Sequence, residues 1–170
     1  KAKAAGSETK ILLIMQPTNP SGRMFSEKCL KDCLEWAYKK GIHFISDEIY
    51  AISVFTKYKM QSLAPIWFDK LENAGNKDKK LKSYLENYVH ITGGLSKDFG
   101  ISGFRVGVIY SRNGDVLSAS RGLFGYMHNI SSHTQYLLAK TFEDEQWVAH
   151  YVKEYRQRLT KVHAALKSAL

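Results

Sequence analysis

Three observations predict an α/β fold with a mostly parallel sheet and one antiparallel strand. The run Ile11-Leu12-Leu13-Ile14-Met15 is apolar without alternation and ends in Gln16-Pro17-Thr18-Asn19-Pro20-Ser21-Gly22. A short strand covered on both faces, the habit of parallel sheets, reads this way. A second run, Ile42 to Ser46, follows after one helix-length segment, and strand, helix and strand with short links make a right-handed βαβ unit. Two later runs, Tyr88 to Thr92 and Arg105 to Tyr110, are joined by a link too short for a parallel crossover, so they are expected to pair antiparallel.

Between the first two strands, Ser26 is placed to cap a helix running to about Lys40. Leu30, Cys33, Leu34 and Ala37 form its apolar side, and Gly41 ends it. Residues 51 to 87 show apolar pieces without a clean period and a polar loop at Asn73 to Asp78, and no element is assigned to them. Lys77, Lys79, Lys80 and Lys82 read as a solvated surface loop. Helices are expected at about 113–126, 131–143 and from Glu145 to near Leu170. In the last, Trp147, Val148, Tyr151, Val152, Tyr155, Leu159 and Val162 recur every three or four residues, a stripe expected to belong to the core.

A chain of 170 residues with 44% apolar and 12% aromatic content can bury one substantial core. Net charge is +9, from 25 basic and 16 acidic residues, but the lysines are scattered and no nucleic-acid signature accompanies them. A basic surface also favours anionic small molecules. No nucleic-acid partner is expected, and the sequence has no signal segment or run of eighteen apolar residues, so membrane association is not expected and the cytoplasm is the default location. Cys29 and Cys33 share a helix face but lack the further ligands of a zinc site, and none of the six histidines has metal-ligand spacing, so no metal is expected.

Chemistry concentrates in Gly94-Leu95-Ser96-Lys97-Asp98-Phe99-Gly100-Ile101-Ser102-Gly103-Phe104-Arg105-Val106-Gly107. A lysine held beside a sheet can lose its proton and form an imine with an aldehyde cofactor, and an arginine on the following strand offers a planar fork of donors to a phosphate. Alone, Ser-Lys-Asp is more often a surface lysine in a glycine-rich hairpin. Asn19 and Asp47 both fall at strand carboxyl ends, where open α/β sheets gather ligands. Asp47 and Glu48 also fit the start of a helical turn, where acids complement the dipole.

In order along the chain, Asn-Pro-Ser-Gly (19–22), Ser-Asp-Glu-Ile-Tyr (46–50) and Ser-Lys-Asp-Phe-Gly (96–100) with Ser-Gly-Phe-Arg-Val-Gly (102–107) resemble the fold-type I pyridoxal 5′-phosphate (PLP) enzymes. These are the class I/II aminotransferase family, and the resemblance is strongest to the 1-aminocyclopropane-1-carboxylate (ACC) synthase branch and its ACC-synthase-like relatives. The resemblance implies part of the large domain of the aspartate-aminotransferase-like architecture. Residues 1–144 would be its later half, and residues 145–170 the long helix leading toward the small domain.

The resemblance implies roles as well. Lys97 carries the cofactor and serves as the base for the substrate α-proton. Asp47 pairs with the pyridinium nitrogen, Tyr50 and Asn19 hydrogen-bond the 3′-oxygen, and Ser96 and Arg105 bind the phosphate. It implies a small amino-acid substrate and a homodimer in the full-length protein. The activity implied is α,γ-elimination from S-adenosylmethionine. An aminotransferase of the same family is the alternative, and a catalytically inactive relative or interaction domain the second. Relatives usually carry a serine three positions before the lysine where this chain has Gly94, a loss worth about 1 kcal/mol of phosphate binding. The family's upstream phosphate loop, its ring-stacking aromatic and its downstream carboxylate-binding arginine have no counterpart here. The chain therefore reads as a fragment, expected to be inactive and to self-associate when isolated.

Overall fold

The computed structural model describes residues 8–127 and 129–170; His128 lies outside the described residues. Four strands form one sheet in the order β1 (Ile11–Met15), β2 (His43–Asp47), β3 (Val89–Gly94), β4 (Gly107–Ser111). The first three are parallel and β4 runs antiparallel to β3, as the short link demanded. Met15 lies level with Asp47, and Asp47 with Thr92, so the carboxyl ends of three strands finish at one edge. This is the α/β architecture anticipated from the pattern of runs.

Helix α1 (Glu27–Lys40) joins β1 to β2. Ser26 caps it by accepting the Cys29 N–H at 3.2 Å, and Gly41 closes it with φ of 63°, a left-handed conformation that costs glycine nothing. Two helices occupy the stretch left unassigned: α2 (Leu63–Ala74) and α3 (Lys79–Tyr88). Lys79, Lys80 and Lys82 are therefore helical, with Asp78 as N-cap rather than part of a loop. Strand β3 starts at Val89, because Tyr88 still belongs to α3.

Strand alternation puts Leu12, Ile14, Phe44, Val89 and Ile91 on one face. Against it pack Leu30, Leu34 and Ala37 of α1, Leu63, Ile66 and Trp67 of α2, and Tyr84 and Leu85 of α3. The Trp67 indole N–H donates to the Leu85 carbonyl at 2.9 Å, and the Tyr84 hydroxyl to that of Ile42 at 2.8 Å, so neither ring is buried with an unmet polar atom. The opposite face carries Ile11, Leu13, Ile45, His43 and His90. Ile11 and Leu13 are 52% and 57% exposed, so β1 is covered on one face and not on both as its composition predicts.

After β4 come α5 (Gly114–Met127), α6 (Ser132–Glu143) and α7 (Glu145–Ala169). No residue of α7 is buried, which corrects the expectation that its aromatic stripe is core. The stripe instead faces the site loops: Tyr151 stacks on Phe99 with ring centroids 5.2 Å apart, and Tyr155 and Trp147 stack on either side of Tyr151. No described helix is long and apolar enough to cross a membrane.

Candidate cofactor site

The candidate residues follow the carboxyl ends of β1, β2 and β3. Asn19 lies in the loop after β1, whose path is set by Gln16. That fully buried amide donates to the Gln61 carbonyl at 2.8 Å and accepts the Phe25 N–H at 3.4 Å, fixing both ends of the 17–24 excursion. Asn19 Nδ2 then reaches the Tyr50 hydroxyl at 3.4 Å, which brings together two residues 31 positions apart in the chain.

Asp47 ends β2, and its Oδ1 accepts the Ile49 N–H at 3.2 Å, turning the chain into the 49–52 turn that presents Tyr50. Glu48 does something different from its neighbour. Its Oε1 accepts both the Ser46 hydroxyl at 3.0 Å and the Leu63 N–H at 2.8 Å, anchoring the strand end to the start of α2. The Glu48 N–H continues the sheet by donating to Thr92 O at 2.8 Å. Sequence reasoning gave Glu48 and Gln16 no role in shaping the site, because their partners are distant in the chain.

Lys97 sits in α4 (Leu95–Asp98), a one-turn helix immediately after β3, with its side chain exposed. Ser96 precedes it, half-buried. A side chain at Gly94 would put its Cβ 3.2 Å from the Val106 carbonyl and 3.6 Å from Ile49 Cδ1, so the strand end, the start of the β4 segment and the Asp47–Tyr50 turn meet at this glycine. That close approach favours glycine at this position.

Arg105 departs from expectation. It precedes β4 instead of starting it, closing a 3-10 turn (Ser102–Phe104) with φ of 54°, and its guanidinium Nη1 donates to the Ser102 carbonyl at 3.0 Å. The turn is tightened by the Arg105 N–H bonding the same carbonyl at 3.2 Å. Its side chain lines an open cleft of about 1230 Å³ with Thr92, Phe104, Val108 and Ser131.

Two further features lie outside the predicted set. Asp98, next to Lys97, is buried and accepts the Ile52 N–H at 2.8 Å and the Ser53 hydroxyl at 2.6 Å. At the other end of β2 and β3, His43 Nδ1 and His90 Nε2 are 2.9 Å apart, and His90 Nδ1 is 2.8 Å from the Ser111 hydroxyl. Burial, with His43 beside it, pushes His90 down to about 4, and burial lowers His43 too. Remote from the lysine-bearing end, the pair is a structural chain. No group of three or more potential metal ligands occurs among the described residues.

The donor set suits an anionic, aldehyde-bearing aromatic cofactor: an amine, a guanidinium and a hydroxyl after β3, a carboxylate at the end of β2, and an amide and a phenol in contact. The sequence profile described as "Aminotransferase class I and II" matches residues 1–170. The chain is 36% identical over 170 residues to 1-aminocyclopropane-1-carboxylate synthase 6 of Oryza sativa subsp. japonica, covering all of this chain and 29% of that protein. It is 37% identical over 163 residues to the 1-aminocyclopropane-1-carboxylate synthase of Vigna radiata var. radiata, covering 95% of this chain and 41% of that protein. It thus spans about a third of the length of such relatives. Among solved structures, Pyrococcus protein-A1 superposes with a TM-score of 0.73 at 20% identity, over 94% of this chain and 37% of that one. The Thermus thermophilus aspartate aminotransferase with maleate does so with a TM-score of 0.67 at 17% identity, over 88% and 34%. These two show the shared fold, and the profile match over the whole chain shows more: the chain belongs to the class I and II aminotransferase family.

Proposed function

We propose that residues 1–170 form the lysine-bearing part of a PLP-dependent enzyme acting on an amino acid, with ACC-synthase-like α,γ-elimination of S-adenosylmethionine as its reaction. What supports this reading is that Asn19, Asp47, Tyr50, Ser96 and Lys97 each lie at or just after the carboxyl end of one of three adjacent parallel strands, with Asn19 and Tyr50 in contact. The relatives named as ACC synthases, at 36% to 37% identity, support the choice of reaction. Residues 1–144 would then be the later half of the large domain, and 145–170 the helix leading toward the small domain of a homodimer.

PLP, when bound, supplies an aldehyde for amines and a ring that accepts electrons. Each residue's task follows from its chemistry. Lys97 would hold the cofactor through its amine, and that amine would serve as the base for the proton on the substrate α-carbon. The Asp47 carboxylate holds a proton on the ring nitrogen, since a negative charge beside a basic nitrogen favours its charged form. Tyr50 and Asn19 donate to the ring oxygen. Ser96 donates its hydroxyl to the phosphate, and Arg105 its guanidinium, which must exchange the Ser102 carbonyl for phosphate oxygens.

Product analysis tests the reaction. The protein carrying this chain is expected to release ACC from S-adenosylmethionine. A 2-oxo acid formed from an amino acid and an oxo acid partner would establish the aminotransferase alternative, and neither product would leave an inactive relative. Asp47→Asn is expected to lower turnover by about a hundredfold or more while barely moving the unfolding midpoint, because an amide cannot balance the ring charge. Turnover near that of the parent would refute the role of Asp47.

A further inference from the structure

Asp98 is 4% exposed, and the ion pairs among the described residues do not include it. A buried carboxylate without a cation is costly unless donors surround it. Here both oxygens are engaged: Oδ2 by the Ile52 N–H at 2.8 Å and Oδ1 by the Ser53 hydroxyl at 2.6 Å. With its proton directed at Asp98, the Ser53 oxygen accepts from the Tyr155 hydroxyl at 3.1 Å. Tyr151 of the same helix donates to the Asp98 backbone carbonyl at 3.2 Å, and Arg156 Nε to the Ile52 carbonyl at 3.1 Å. A directed chain therefore runs from α7 through the 52–53 loop to the residue after Lys97.

The Lys97 side chain is exposed, so packing does not aim it; its backbone must. That backbone belongs to a four-residue helix, too short to be stable by itself. Its start is tied by the Leu95 N–H to Val106 O at 3.1 Å, and its end by Asp98. We propose that Asp98 is the positioning residue for Lys97, holding the lysine turn to Ile52 and Ser53 and, through Ser53 and Tyr155, to α7. The role rests on reading Lys97 as the cofactor lysine, and it makes the placement of that lysine depend on where α7 lies.

Two labels on the protein carrying this chain separate the two readings. PLP with borohydride, followed by peptide mapping, reports capture at Lys97. Acetic anhydride on cofactor-free protein reports the ratio of labelling at Lys97 to that at Lys40, an exposed lysine ending α1. Asp98→Asn and Ser53→Ala are expected to change the Lys97:Lys40 ratio by about tenfold and to weaken capture similarly, as for loss of one hydrogen bond to a charged group. Tyr155→Phe should shift both by about threefold, as for a neutral hydrogen bond, and Ser53→Thr, which keeps the hydroxyl, should restore them. If Asp98→Asn does not fold, the Ser53→Ala and Ser53→Thr pair decides. Variants that melt earlier yet keep the parental ratio and capture would make Asp98 merely structural and overturn the proposal. A parent protein that captures no PLP at Lys97 would instead count against the cofactor reading, with the anhydride ratio still deciding the positioning role.

Discussion

Leu30, Phe44, Trp67 and Val89 are fully buried between the sheet and α1–α3, whereas no described residue of α6 or α7 is buried. The first region is held by apolar area removed from water, at roughly 25 cal/mol per Å². The second is held by side-chain hydrogen bonds to the 52–55 loop and Asp98, and by rings stacked on Phe99. Such contacts contribute little net stability each, but they are directional. The difference teaches where each region's influence lies. The sheet and its three helices decide whether the chain folds, while α7 bears on how the lysine turn is placed.

Paired tryptophan substitutions should break the comparison open most widely. Trp67→Ala removes a fully buried ring and leaves the Leu85 carbonyl without its donor, and is expected to cost about 3–5 kcal/mol in urea unfolding. Trp147→Ala, at a ring 43% exposed on α7, should cost less than about 1 kcal/mol. Equal losses would mean that the two regions share one core.

Acid sharpens the same contrast. His90 is held near 4 in the folded sheet against about 6.5 unfolded, so the folded state binds fewer protons. Its contribution is fully present above about 6.5 and is lost as pH falls toward about 4. That amounts to about 3 kcal/mol at 1.36 kcal/mol per unit, with His43 acting in the same direction. Unfolding followed against pH should show this slope, and His90→Gln should flatten it. A slope unchanged in the variant would place the acid sensitivity elsewhere.

The smallest effect concerns the open sheet face. Residues 1–170 by themselves are expected to self-associate in light scattering through Ile11 and Leu13, and Leu13→Lys should reduce the associated fraction. A monodisperse parent chain would show that this face needs no cover.

How much of this was legible beforehand depended on whether the signal was local. The Ile11–Met15 run, the Ser26 cap and the Gly41 terminator each announce themselves within a few residues, and the structure keeps all three. So does the antiparallel turn, fixed by the length of its link. Helix α2 buries one face, Leu63, Ile66, Trp67 and Ala74, but escaped because the exposed Phe68 breaks the apolar pattern, and Pro65 in its first turn reads as a breaker although it is tolerated there. For α3, lysines at the start masked a helix that buries only Tyr84 and Leu85. The α7 stripe has true helical periodicity but says nothing about depth, and its aromatics cover loops instead of filling a core. The candidate residues were found through ordered motifs. Nothing local marks Asp98, whose side-chain partners lie about 46 residues earlier, or shows that Arg105 turns its guanidinium back on Ser102.

Everything proposed for the site turns on one amine. The protein carrying this chain, saturated with PLP, reduced with borohydride, digested and mapped by mass spectrometry, is predicted to bear the pyridoxyl group on the peptide containing Ser96-Lys97-Asp98, with Lys97→Ala abolishing the label. A label on another lysine, or none in saturated protein, would contradict the account.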